Sequence, residues 1–328
     1  MRTLLRAILV RRECAPAAPP PRAYRSLLAA LASLGALGFA CAERPESTLA
    51  ELDRLAFVPA GECVLQPRSG FPIVCSNARP LLVDRFEATR AEWRAFGAGA
   101  AEADEAFGTV LATWRTDTDA WPASFMTLAE ARGYAAARAM RLPTFREWIR
   151  IASGTRGLPY PWGGAEASSV ANTLNLGVGH PLPVGTFEQG RTTLGTYDMA
   201  GNVREWVEDR LPRAPEDRTS SAPAWAMGGS YLSRQRRLHE LDVNGELVFD
   251  QLDLEPASRS IDVGLRCVAD AREYLLAHAG SYGGERSRAR LVAIGASWGR
   301  AAVPLLEELA AAPGAPPALA FLLEGARR

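Results

Sequence analysis

Lysine is absent from this 328-residue chain, so all 37 of its basic residues are arginine. A chain without lysine has no residue for a Schiff base and none for the phosphate-binding lysine of a P-loop. The 37 acidic residues balance the arginines to a formal net charge of +0. This balance argues against a nucleic-acid partner and against a polybasic membrane-surface protein.

Histidine and long apolar runs are also scarce. The three histidines, His180, His239 and His278, lie far apart in the sequence. Their spacing matches neither a zinc site nor a catalytic dyad, so the sequence predicts neither. The apolar run at residues 27–40 is shorter than the roughly 20 residues that a membrane-spanning helix needs.

Residues 1–41 have the features of an export signal. Several arginines precede the apolar run 27–40, and the run ends at Ala40, directly before Cys41. A basic segment followed by a short apolar run predicts a signal peptide. We therefore expect export in a bacterium, to the periplasm or the outer membrane. Cys41 is either the lipidated residue of a lipoprotein, which would attach the chain to a membrane, or an incidental residue removed with the signal.

Three cysteines follow the predicted signal: Cys63, Cys75 and Cys267. In an oxidising compartment, cysteines pair where the geometry permits. We predict a disulfide between Cys63 and Cys75, which flank a short loop that contains proline and glycine. A Cys63–Cys267 bond is the alternative, and either choice leaves one thiol unpaired.

Local patterns divide the rest of the chain into three parts. Residues 42–54 are polar and acidic, which predicts a tether. Residues 55–268 begin with strand-like stretches and helices, and after residue 154 they become rich in glycine, proline, asparagine and tryptophan. Three helix starts are marked by a capping box, in which a threonine is followed three residues later by a glutamate: these are Thr89, Thr127 and Thr144. Residues 269–328 predict a helical C-terminal extension.

Seven short motifs follow one another between residues 84 and 267. They are DRFEAT (84–89), RLPTFREW (141–148), YPWG (160–163), PVG (183–185), YDMAGNVREW (197–206), GGSY (228–231) and GLRC (264–267). In this order they resemble the formylglycine-generating enzymes, also called sulfatase-modifying factors, over residues 57–268. The resemblance implies an α+β fold related to C-type lectins and low in regular secondary structure.

The motif at 197–206 has the composition of a cation-binding loop. Asp198 and Glu205 are hard oxygen ligands on either side of a turn, and calcium binds six to eight oxygens in irregular geometry. The resemblance implies one structural calcium ion, held by Asp198, by the carbonyls of Gly201 and Val203, and by Glu205. The alternative is that the two carboxylates only cap turns.

The reaction of the family requires copper(I) held by two cysteines, and by resemblance those positions are Ser233 and Leu238 here. Copper(I) selects soft thiolate or thioether ligands, which neither residue offers. We therefore expect no copper, no catalytic residues and a pseudoenzyme, that is, a non-catalytic binding or scaffolding protein. The alternative is an oxidoreductase of the formylglycine-generating type, or another enzyme that uses the same cleft with different residues.

Arginines follow the GGSY motif closely. Ser233, Arg234 and Arg236 lie where the resemblance places the substrate cleft of the family. Guanidinium groups can hold a carboxylate or a sulfate through paired hydrogen bonds. We expect these three residues to contact a protein, peptide or glycan ligand. The alternative is a solvated charged face.

Overall fold

Short strands and short helices alternate along the computed structural model, which describes residues 45–65, 72–99, 118–210 and 223–328. The predicted signal peptide and Cys41 lie outside the described residues. The described α-helices are α1 (Pro45–Asp53), α2 (Arg90–Gly99), α3 (Leu128–Ala137), α4 (Phe145–Ser153), α5 (Ala271–His278), α6 (Arg288–Trp298), α7 (Val303–Ala310) and α8 (Pro317–Arg327). Short 3-10 turns occur at Glu188–Gly190, Ala279–Ser281, Glu285–Ser287 and Arg300–Ala302.

The described strands are β1 (Leu55–Val58), β2 (Gly61–Leu65), β3 (Ile73–Asn77), β4 (Leu81–Asp84), β5 (Arg204–Trp206), β6 (Ala224–Met227), β7 (His239–Leu241), β8 (Leu247–Phe249), β9 (Gln251–Leu254), β10 (Val263–Gly264) and β11 (Val268–Asp270). They form an antiparallel sheet β1-β4-β11 and a mixed sheet β10-β5-β6-β9, in which β10 and β5 run parallel. Strands β2–β3 and β7–β8 form two separate hairpins. Long stretches between residues 154 and 203 have no regular structure apart from one 3-10 turn, as the composition of this region predicted.

The three predicted capping boxes are confirmed, because each has both of its reciprocal hydrogen bonds. The side chains of Thr127 and Thr144 accept from the third residue of α3 and α4, and the glutamates there return a bond to the cap. Before α2, the Glu92 carboxylate accepts the Thr89 N–H at 2.8 Å and the Glu92 N–H donates to the Thr89 hydroxyl at 3.3 Å. A capping box therefore fixes the start of each of these helices.

Helix α1 occupies most of the segment that the sequence predicted to be a tether. Leu49 and Leu52 lie three residues apart on one face of this helix, and both are buried in the core. The structure thus replaces the predicted tether by a packed helix over residues 45–53. The segment is polar overall, which led to the prediction of a tether. Two leucines at helical spacing are nevertheless enough to anchor a short helix.

Two clusters of buried side chains fill the described part of the molecule. The first includes α1, α3 and the C-terminal helices, and the second lies between the β2–β3 hairpin, α4 and β6. Trp298 of α6 packs on Phe57 with ring centroids 6.1 Å apart and donates its indole N–H to the Leu55 carbonyl at 2.9 Å. The predicted helical extension therefore shares a core with residues 55–268.

All three described cysteines are buried and carry free thiols. Cys63 and Cys75 face each other across β2 and β3 in the antiparallel register, as the predicted pairing requires. Cys267 belongs to the other core cluster, so the Cys63–Cys267 alternative has no support from the packing. The Cys63–Cys75 disulfide itself stays a prediction. Within the described residues, no helix is both long enough and apolar enough to cross a bilayer.

Candidate functional site

The loop before β5 is held in an unusual backbone conformation. Asp198, Gly201 and Asn202 all have positive φ angles, of 57°, 90° and 59°. Aspartate and asparagine tolerate this left-handed region better than other side chains. Glycine is required at 201, because a Cβ there would lie 2.5 Å from the Asn172 carbonyl oxygen. The sequence of the loop therefore determines which way its carbonyls and carboxylates point.

Three of the four predicted calcium ligands have oxygens available to a cation. One Asp198 carboxylate oxygen accepts the Gly185 N–H at 2.7 Å, and burial raises the pKa of this side chain to about 6. Gly201 and Val203 are buried, yet their carbonyl oxygens accept no hydrogen bond from any other described residue. Buried carbonyls are normally paired, so these two groups fit an ion or an ordered water.

Glu205 is the fourth predicted ligand, and the structure gives it a partner that the sequence analysis missed. Its carboxylate is 1% exposed, lies 2.6 Å from the Arg266 guanidinium and accepts the Trp148 indole N–H at 2.7 Å. Arg266 is fully buried and also donates to the carbonyls of Asp84 and Tyr197. Arg266 belongs to the GLRC motif, so the signal was in the sequence, but only the fold brings it to Glu205.

Glu87 is a second residue that sequence reasoning missed. It is fully buried and accepts the Val203 N–H at 2.9 Å and the Asn202 side-chain amide at 2.7 Å. Burial, followed by the nearby negative charges of Asp198 and Glu205, raises the pKa of Glu87 well above its usual range. Three carboxylates thus surround one loop, with Arg266 as a cationic partner, and a bound cation would relieve their mutual repulsion.

No group of three His, Cys, Asp or Glu side chains in the described ranges has the arrangement of a metal site. An ion at the loop would therefore depend on main-chain carbonyls for much of its coordination. Calcium accepts such ligands, whereas transition metals favour nitrogen and sulfur donors. The donor set at this loop fits calcium.

Ser233 and Leu238 have different environments. The Ser233 hydroxyl accepts the Ser230 N–H at 2.7 Å and donates to the Ser230 carbonyl at 3.1 Å, which closes a local turn. Leu238 is 1% exposed and belongs to the second core cluster. One side chain therefore stabilises a turn and the other fills the core.

The predicted ligand-contact arginines lie at the surface. Arg234 and Arg236 are exposed, and Arg234 makes no hydrogen bond or ion pair with another described residue. Burial raises the pKa of the Asp250 carboxyl, and the positive charge of nearby Arg236 opposes this effect. Nearby, the buried Ser230 hydroxyl donates to Asp262 at 2.7 Å, a contact that the sequence did not predict.

A family model described as the sulfatase-modifying factor enzyme 1-like domain matches residues 41–271 of the chain. The chain belongs to this family. The family match and the observed mixture of short helices and strands confirm the predicted α+β fold class with a helical C-terminal region. The family match ends at residue 271, so α6, α7 and α8 lie beyond the matched residues.

Curated relatives of this sulfatase-modifying factor domain include proteins with different names. A hercynine oxygenase of Mycolicibacterium thermoresistibile is 30% identical over 178 residues, which are 43% of this chain and 40% of the relative. The inactive C-alpha-formylglycine-generating enzyme 2 of Bos taurus is 30% identical over 46% of this chain and 51% of the relative. The formylglycine-generating enzyme of Thermomonospora curvata is 31% identical over 47% and 57%. The chain thus spans about half the length of these relatives.

Two solved structures are similar to the sulfatase-modifying factor domain at low sequence identity. PvdO from Pseudomonas aeruginosa has a TM-score of 0.49 at 21% identity, over 66% of this chain and 94% of that protein. CarF has a TM-score of 0.48 at 20% identity, over 66% of this chain and 97% of that protein.

Proposed function

We propose that this chain is a non-catalytic binding or scaffolding protein of the sulfatase-modifying factor family, exported in a bacterium. The observation that carries the proposal is the pair of positions which, by resemblance, hold the copper cysteines of the family. In this chain they are Ser233 and Leu238. The Ser233 hydroxyl closes a turn, and the Leu238 side chain fills the core. Neither can ligate copper(I) as a thiolate does. The inactive relative of Bos taurus supports the proposal.

An oxidoreductase of the formylglycine-generating type, or another enzyme that uses the same cleft, is the second candidate. The similarity to the formylglycine-generating enzyme of Thermomonospora curvata and to hercynine oxygenases favours it. Such an enzyme would need other residues than Ser233 and Leu238 to perform its chemistry.

Copper(I) binding and oxygen consumption distinguish the two candidates. Because copper(I) selects thiolate ligands, the measurement is best made in a C63S/C75S background, which removes the paired thiols of the β2–β3 hairpin. We expect this protein to compete poorly with a copper(I) chelator and to consume no oxygen with a cysteine-containing peptide. S233C/L238C in the same background should gain copper(I) binding, and S233A/L238A is the matched control. Copper-dependent oxygen uptake by the chain without engineered cysteines would contradict the non-catalytic proposal.

The proposed function includes one structural calcium ion at the loop before β5. Asp198 and the carbonyls of Gly201 and Val203 would hold it, with Glu205 shared between the ion and Arg266. The unpaired carbonyls and the three neighbouring carboxylates support this assignment. The ion would supply positive charge and hold the loop in place, and the residues of the loop would do no chemistry.

The proposed ligand-binding face consists of Ser233, Arg234 and Arg236, and the proposed ligand carries an exposed carboxylate or sulfate. Arg234 supports this choice, because it is exposed and has no partner among the described residues. Export, with Cys41 as a lipidation residue and membrane attachment through it, rests on the basic segment and the apolar run that precede Cys41.

A further inference from the structure

The β2–β3 hairpin places two thiols opposite each other. Cys63 and Cys75 are opposite each other in the register, and their exposed fractions are 2% and 0%. Residues directly opposite each other on antiparallel strands have Cβ atoms about 4.5–5.5 Å apart, so the two sulfurs are within reach of each other. The two strands pair with each other and with no other described strand, so a local opening of this hairpin would leave the larger sheets intact. To expose the two sulfurs it would also have to separate the hairpin from α4 in the second core cluster.

Helix α4 presents two arginines to this pair of thiols. Arg146 and Arg150 lie one turn apart. Arg146 donates to the carbonyl of Val74, which precedes Cys75 in β3, and the charge of Arg150 acts on Cys63. Gly61 leaves room for this approach, because a Cβ there would lie 3.2 Å from an Arg150 nitrogen. Among the described residues, the charged and titratable groups that act on Cys63 are Cys75 and Arg150, and those that act on Cys75 are Cys63 and Arg146.

Arg150 is a buried cation that has no carboxylate partner in the described part of the chain. Its side chain is 1% exposed, and two of its nitrogens, Nε and Nη1, have no hydrogen-bond partner in the described part of the chain. Burial lowers the pKa of this guanidinium, and Cys63 is the neighbour whose negative charge opposes that effect. A buried charge is normally paired. Among the described residues, Cys63 is the ionisable neighbour whose thiolate would balance this charge.

We propose that Cys63 and Cys75 form a thiol–disulfide exchange site in which Arg150 is the counter-ion of the Cys63 thiolate. The thiolate attacks one sulfur of a small-molecule disulfide; a Cys63 mixed disulfide forms and one thiolate leaves. Cys75 then attacks the Cys63 sulfur, the internal disulfide forms, and the second leaving thiolate takes the Cys75 proton. Cys63 and Cys75 are oxidised, and the small-molecule disulfide is reduced to two thiols.

The direction of the pKa shifts agrees with this assignment of roles. The hydrogen bond from Cys75 lowers the pKa of Cys63; burial opposes this, and the charge of Arg150 lowers it further. The same hydrogen bond, together with burial, raises the pKa of Cys75. Because Arg150 stabilises the reduced form, the disulfide should be easier to reduce than one that only cross-links a fold.

The test uses the full chain equilibrated with glutathione at fixed ratios of its reduced and oxidised forms. After quenching and alkylation, mass spectrometry of the peptides that contain Cys63 and Cys75 gives the oxidised fraction without interference from the other cysteines. In Arg150→Met the thiolate loses its counter-ion, so we expect the equilibrium constant for disulfide formation to rise roughly tenfold, as for a one-unit rise in the pKa of Cys63. Arg150→Lys should restore most of the original value.

Arg156→Met is the matched control, because Arg156 is exposed just beyond α4 and should leave the equilibrium unchanged. The proposal fails if Arg150→Met and Arg156→Met give the same equilibrium constant, or if oxidised glutathione does not link Cys63 to Cys75. Should Arg150→Met not fold, the ultraviolet absorbance of thiolate in the unsubstituted protein decides. An ordinary or raised pKa for Cys63 in that titration overturns the proposal.

Discussion

Glu205 has a buried ion-pair partner in the structure that its sequence context does not indicate. The sequence predicts Glu205 to be a ligand in a calcium-binding loop, and the structure pairs it with Arg266 inside the core. Removing one partner of a buried ion pair costs about 3–5 kcal/mol. Glu205→Ala would thus destabilise the protein whether or not calcium binds. Asp198 is the better residue for a test, because it has no ion-pair partner among the described residues.

Calcium removal should lower the melting temperature of the protein. At a hundredfold excess over its dissociation constant, a ligand adds about 2.7 kcal/mol, which corresponds to roughly 5 to 10 °C here. Asp198→Asn keeps an oxygen for the Gly185 N–H but loses the charge, so its melting temperature should respond much less to a chelator. Asp53→Asn, an exposed position, is the control.

The effect of calcium should also depend on pH. The pKa of Asp198 in the ion-free fold is about 6, above that of an unfolded aspartate. Between about pH 4 and 6 the native state therefore holds the proton more tightly than the unfolded state does, and stability without calcium falls as the pH rises through this window. Calcium should raise the melting temperature more at pH 8 than at pH 5. Equal effects at both pH values would argue against Asp198 as a ligand.

At the scale of elements, the contact between α6 and α8 depends on two glycines. A Cβ at Gly295 would lie 2.0 Å from the Leu322 carbonyl oxygen, and a Cβ at Gly325 would lie 2.0 Å from that of Val292. Backbone atoms cannot move aside as a flexible side chain can. The two helices therefore pack at a distance that only glycine permits.

Gly295→Ala should destabilise the protein despite the better helix propensity of alanine. The gain in propensity is about 1 kcal/mol, while overpacking costs about 1–3 kcal/mol. The contact with backbone at 2.0 Å places this position at the upper end of that range. Urea denaturation at equilibrium would measure the difference. Gly280→Ala, which has open space around it, is the control and should be neutral. A neutral Gly295→Ala would mean that α6 and α8 do not pack closely.

At the level of the whole molecule, the C-terminal helices complete a hydrophobic core that begins within the family domain. The family match ends at residue 271, whereas the first core cluster joins Leu52 and Leu55 to Trp298 and Leu322 in the C-terminal helices. The described residues from 45 onward belong to one compact unit. The C-terminal helices therefore cover apolar surface that residues 45–271 would otherwise expose.

Truncation after residue 271 should consequently impair folding, although it leaves the family domain intact in sequence. We expect the truncated chain to bind an apolar dye and to lose its cooperative thermal transition, because burial of Leu52 and Leu55 depends on the removed helices. Circular dichroism and dye fluorescence would show this. A truncated chain that melts cooperatively, near the temperature of the full chain, would show that the extension is an independent appendage.

The amino-acid sequence alone was enough to identify the family, the fold class, the three capping boxes and the helical character of residues 269–328. These features depend on local chemistry: a threonine caps the helix that directly follows it, and an ordered set of motifs is specific to one fold. The sequence did not reveal that residues 45–53 pack as a helix. It also did not reveal that Arg266 and Glu87 contact the loop before β5, or that Arg150 lies near the two thiols.

These contacts join residues that are far apart in the chain. Glu87 meets Val203, and Arg266 meets Glu205, only because β4, β5 and β10 bring the ends of distant segments together. Whether a buried charge is paired depends on every neighbour in three dimensions, and neither composition nor spacing contains that information. The tertiary structure therefore determines which buried carboxylates lie close to one another and which thiol lies beside an unpaired cation. These placements indicate where a bound cation or a thiolate is to be expected.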